Sequence, residues 1–122
     1  VYGNGWVAYD DEEALALYQE WVGKIDESYS MNAYAQTGWI AAHFFCEGLR
    51  RIEGQDITWE NYMNALETGG PIQNPFGGKI DYADGNRAGT QEMNLSKINP
   101  DVEDGWELVD GLQSMETLLS AG

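Results

Sequence analysis

His43 and Glu47 stand four residues apart, a spacing that stacks two side chains on one face of a helix and could bring an imidazole and a carboxylate to one metal ion. The chain has no second histidine to complete a zinc set, so no metal is expected. Its single cysteine, Cys46, excludes an internal disulfide; lying among Phe44, Phe45 and Leu49, it reads as small core filler and not as a reactive thiol, which needs an accessible cationic setting. The run Asp84-Gly85-Asn86-Arg87-Ala88-Gly89 has the acid, amide and glycine of a calcium loop at its first, third and sixth positions. Ala88 at the fifth and Leu95 at the twelfth lack the oxygen ligands such a loop needs, which leaves a solvated turn. Asn94-Leu95-Ser96 fits a glycosylation sequon. The abundant carboxylates could be paired on paper as a glycosidase acid and base, but there is no G-x-S-x-G elbow and no phosphate-cradling P-loop. Catalysis is not expected, and neither is a cofactor.

With 122 residues the chain is one domain at most, and a hydrophobic content of 43% with five Trp supplies a core. Six Lys plus Arg against 21 Asp plus Glu give a formal charge of -15, which repels phosphate backbones and anionic lipid surfaces. Nucleic acid is therefore not an expected partner. No stretch is long and apolar enough to span a bilayer, and Val1–Asp10 has neither the basic start nor the apolar run of a signal peptide.

The elements that must position these residues begin with a helix announced by Asp10, Asp11, Glu12 and Glu13, acids that favour the positive end of the helix dipole. Ala14, Leu17, Tyr18, Trp21 and Ile25 then recur at three- and four-residue steps, and Gly23 offers a left-handed stop. Upstream, Val1–Tyr9 reads as loop or a frayed strand. A second helix over Asn32–Ile52, capped by Ser28 or Ser30, is apolar almost all the way round. Its thin polar stripe is Gln36, His43, Glu47 and Arg50, so it must be covered on several sides. Thr58 caps a third helix with Trp59, Tyr62, Met63 and Leu66 on one face, closed by Gly69-Gly70-Pro71.

Strands follow. Lys79–Ala83 places Ile80 and Tyr82 on one face, and Thr90–Ile98 places Met93 and Leu95 opposite Glu92, Asn94 and Ser96. Trp106–Val109 completes a hairpin with that strand across Asn99-Pro100 and Asp104-Gly105, a loop of about seven residues. Leu112–Gly122 fits a strand edge, a helical turn or a disordered end.

This order of elements resembles the C-terminal part of branched-chain-amino-acid-type periplasmic binding proteins, the substrate-binding components of ABC transporters. The resemblance covers about residues 8 to 110. It is carried by Tyr34 through Arg50, Phe76 through Asp84 and Glu103 through Val109. It implies an α/β fold: a fragment of the type I periplasmic-binding-protein fold, three helices followed by about three short strands. Residues 1–84 would belong to the N-terminal lobe, 85–90 to an interlobe crossover and 91–122 to the C-terminal lobe, with Gly85 and Gly89 absorbing the bend.

The function so implied is extracytoplasmic, in the periplasm or on a cell-surface lipoprotein. The whole protein would capture an amino acid or related carboxylate and present it to a membrane permease. The same fold also serves as the extracellular ligand-binding domain of sensory receptors, and a free-standing acidic α+β interaction domain is a third reading. Exposed lobe faces would favour a homodimer of the fragment. Tyr34 matches the family's tyrosine on the cleft wall and is the first ligand-binding candidate, with a core tyrosine as the alternative. Asn32 is the second candidate, with a helix cap as its alternative.

Overall fold

A computed structural model describes residues 2–5, 12–102 and 105–120 and shows a mixed α/β chain. The acidic cap expected at Asp10 and Asp11 lies outside the described residues, as does Asp104 of the hairpin turn. The described part of the first helix is α1, Glu12–Gly23. α2 spans Ala33–Arg51 and α3 Trp59–Thr68. The cap of α2 is Asn32, not either serine. Asp26 first closes a short 3-10 turn at Glu27–Tyr29 by accepting from the Ser28 amide at 2.9 Å, which uses up Ser28 and Ser30 before the helix begins. Thr58 caps α3 as expected, its hydroxyl oxygen accepting from the Asn61 amide at 3.2 Å.

Tyr18 of α1, Ile40 of α2 and Phe76 form the buried centre of the helical layer. The Tyr18 ring meets Trp39 and Phe76 edge-on, with centroids 5.8 and 5.6 Å away, and its hydroxyl donates to the Tyr29 carbonyl at 2.6 Å. A fully buried phenol thus keeps a polar partner. Phe76 reaches this centre from the turn between β2, Ile72–Gln73, and β3, Lys79–Ile80, which pair antiparallel. Asn74 builds that turn. Its side-chain oxygen accepts from the Phe76 amide at 2.9 Å, while its own amide donates to the Gly78 carbonyl at 3.0 Å.

The expected burial of α2 needs correction. Gln36, placed on the polar stripe, is buried, whereas Ala41, Phe45 and Cys46 are exposed; Cys46 is therefore not core filler. A helix apolar on most sides does not name its own inner face. The neighbours choose it, and Tyr18 and Phe76 select the Gln36–Ile40 line. α1 is similar: Tyr18 is buried, while Leu17, Trp21 and Ile25 from the same expected face are more than half exposed.

The remaining strands form a separate antiparallel sheet in the order β1-β4-β5, from β1, Tyr2–Gly5, β4, Glu92–Ile98, and β5, Trp106–Ser114. The β4–β5 hairpin is the expected one, with Ile98 opposite Trp106, but β5 runs on to Ser114. A last helix, α4 at Met115–Ser120, starts where the Ser114 hydroxyl accepts from the Thr117 amide at 3.1 Å. On β4 the buried position is Asn94, from the face expected to be wet, while Met93 and Leu95 are half-buried. Pairing steps from Met93–Gln113 to Leu95–Asp110, so a bulge of β5 lies opposite Asn94.

The strand expected over Lys79–Ala83 stops at Ile80, because the Asp81 carboxylate accepts from the Ala83 amide at 3.0 Å and winds the chain into a 3-10 turn at Ala83–Gly85. The connection from there to β4 holds Asp84, Gly85 and Gly89 at φ of 54°, 72° and 73°. β1 pairs with β4 with Tyr2 opposite Lys97 and Gly5 opposite Asn94, so the chain leaves this sheet before α1 and returns to it after β3. Among the described residues no helix is long and apolar enough to cross a membrane.

Candidate functional site

Asn32 and Tyr34 lie together in the first turn of α2, and their side chains have different work. The Asn32 side-chain oxygen accepts from the Tyr34 amide at 3.0 Å and the Ala35 amide at 3.1 Å, satisfying two of the helix's orphan donors. Tyr34 itself is 89% exposed, its ring and hydroxyl clear of the core. The alternative of a core tyrosine is thereby excluded. An aromatic ring fixed at its backbone by a capped helix start and otherwise open is able to pack on an apolar group and orient a polar one through its hydroxyl.

A groove of about 560 Å³ runs between α1 and α2. Leu17, Trp39 and Ala42 give it an apolar wall, and His43, Cys46 and Arg50 line it as well. His43 Nε2 is 3.0 Å from the Gln73 carbonyl oxygen, which ties α2 to β2. Glu47 does not pair with His43. One carboxylate oxygen faces Arg50 Nη1 at 3.1 Å and the other faces Arg51 Nε at 3.4 Å, and these hydrogen bonds, that from Arg50 foremost, hold Glu47 below the ordinary glutamate range against the opposing effect of burial. The His43–Glu47 spacing therefore serves two separate structural ties. No group of three or more His, Cys, Asp or Glu able to hold a metal ion occurs among the described residues.

In the Asp84–Gly89 turn the Asn86 side chain bonds backbone groups. The Asn86 side-chain oxygen accepts from the Ala88 amide at 2.9 Å and its Nδ2 donates to the Asp81 carbonyl at 2.7 Å. No family model, no curated protein and no solved structure matches the chain. Sequence reasoning passed over Asn74, whose Asx-type bond sets Phe76 in the core; Asn74-Pro75 followed by Gly77-Gly78 was the available signal. It also passed over Arg51, whose guanidinium joins α2 to the end of α3; nothing in its spacing separates it from Arg50.

Proposed function

We propose that the chain is the C-terminal part of an extracytoplasmic solute-binding protein of the type I periplasmic-binding-protein fold, which captures an amino acid or related carboxylate and presents it to the permease of an ABC transporter. The supporting observation is that the chain passes between the helices and a separate sheet twice, once more than the crossover at 85–90 that the resemblance implies, because residues 2–5 pair with β4. It leaves the β1-β4-β5 sheet before α1 and rejoins it after β3, through a segment with positive φ at Asp84, Gly85 and Gly89. Two connections between a helical layer and a separate sheet are what a hinged, two-lobed binder needs, and glycines in the left-handed region absorb the bend at little steric cost.

In this reading Tyr34 packs against the solute from the helical side, and Asn32 positions it by holding the first turn of α2. Ligand contacts from both lobes favour the closed form by their differential affinity for it. The test is calorimetric titration of the protein encoded by the complete reading frame with a panel of amino acids and related carboxylates. A saturable heat with at least one of them, weakened about tenfold or more by Tyr34→Ala, is expected. Silence across the whole panel would overturn the reading.

A further inference from the structure

One charge on the groove between α1 and α2 is left unanswered. Arg50 and His43 line the groove, but Arg50 Nη1 faces Glu47 at 3.1 Å and His43 Nε2 lies 3.0 Å from the Gln73 carbonyl oxygen, so both are engaged within the fold. The Glu13 carboxylate lines it too, on an exposed residue, and has no hydrogen-bond or ion-pair partner among the described residues. A chain of net charge -15 draws cations toward such a group and turns anions away.

The rest of the lining is suited to an apolar body. Leu17, Trp39, Ala42 and Pro75 supply it, and the Trp39 ring is held edge-on to that of Tyr18 with centroids 5.8 Å apart, so an indole surface is in place before anything binds. Such a surface attracts a cation as well as an apolar ring. A volume of about 560 Å³ lies within the range of small-molecule sites and admits a body of one or two rings. A bare ammonium would gain only an exposed ion pair, which is worth little. An apolar carboxylate would meet the like charge of Glu13, while Arg50 already holds one carboxylate. An amine that carries an apolar body uses both the free charge and the wall.

We propose that this groove binds an organic amine with an apolar body of one or two rings, its ammonium on Glu13 and its body against Leu17, Trp39 and Ala42. Tyr34 does not line the groove, so the site is separate from that of the proposed solute. The probe is tryptamine at physiological salt. Cys46, the chain's single cysteine, is exposed on the same groove and reports its occupancy. Tryptamine should give a saturable heat with the 122-residue chain and, at twice its Kd, slow alkylation of Cys46 by iodoacetamide about threefold. Glu13→Gln should weaken binding about three- to fivefold, the loss of one exposed ion pair. Ala42→Phe fills the groove from an exposed position and should abolish both signals with helical circular dichroism retained. Indole-3-propionate, which has the same body and the opposite charge, and ethylamine, which has the charge without the body, should give neither signal at the same concentration. No saturable heat with tryptamine, equal binding of either control, indifference to Glu13→Gln, or protection of Cys46 that survives Ala42→Phe overturns the proposal. None of these results bears on the amino-acid titration of the complete protein.

Discussion

Arg51 Nη1 stands 2.8 Å from the Gly70 carbonyl oxygen, so the last turn of α2 caps the chain reversal that ends α3. Its Nη2 also donates to the Pro71 carbonyl at 3.1 Å, and Glu47 faces its Nε. With its side chain only 15% exposed, the guanidinium satisfies carbonyls of the reversal that follows α3. Arg51→Met should cost about 2 kcal/mol in chemical denaturation, since hydrogen bonds from a charged donor are lost together. Arg51→Lys should recover little of it, because one ammonium cannot reproduce the planar fork. Full rescue by lysine would mean that charge alone matters there.

The two side-chain caps give a cleaner measurement. Asn32→Ala removes the acceptor for the Tyr34 and Ala35 amides, and Thr58→Ala the acceptor for the Asn61 amide. Each should lower stability by about 1 kcal/mol, while Asn32→Asp should remain near wild type. A destabilised Asn32→Asp variant would show that the amide group of Asn32 is used elsewhere.

What the sequence revealed and what it hid follow one physical rule. Features set within a few residues were legible: the Thr58 cap, the stop after Thr68 and the β4–β5 hairpin all stand where local chemistry puts them. Features chosen by distant neighbours were not. Nothing within α2 distinguishes the Gln36–Ile40 line from the Ala41–Phe45 line; Tyr18 and Phe76, 18 and 40 positions from Gln36 in the chain, make that choice. Asn94 is buried while Met93 and Leu95 on the other face are half-buried, and the alternation of β4 alone does not say which face the rest of the chain covers. Tyr34 and Asn32 were legible as a pair in one helical turn, but which of them would be exposed and which would cap depended on where α2 begins.

Glu47 should carry part of the acid sensitivity. Hydrogen bonds from Arg50 and then Arg51 lower its folded value from the ordinary 4.5, so it contributes stability above 4.5 that is lost as pH falls through the lowered value. Protonating the other carboxylates relieves the repulsion of a -15 chain and acts in the opposite direction, so the wild-type profile alone is ambiguous. The difference between wild type and Glu47→Gln isolates the effect. That difference in denaturation midpoint should be largest near neutral pH and vanish in acid below the lowered value. A gap that stays constant with pH would assign the loss to packing and not to the charge.

Two glycines of α2 should respond oppositely to the same methyl group. At Gly48 a Cβ would stand 2.7 Å from Tyr62 Cζ and 2.8 Å from its hydroxyl oxygen, so α2 and α3 could keep their contact only by moving apart or displacing the ring that packs on Phe45. At Gly38 the same Cβ enters open space. Gly48→Ala should therefore destabilise by about 1–3 kcal/mol through overpacking. Gly38→Ala, measured in dilute solution, should stabilise by about 0.5–1 kcal/mol through helix propensity. Because the Gly48 penalty comes from one ring, Tyr62→Ala should make Gly48→Ala far less harmful, a non-additivity that a double-mutant cycle reads directly. Additive losses in that cycle would mean that the cost at Gly48 does not arise from Tyr62 and that the close approach of α2 and α3 is not what requires glycine there.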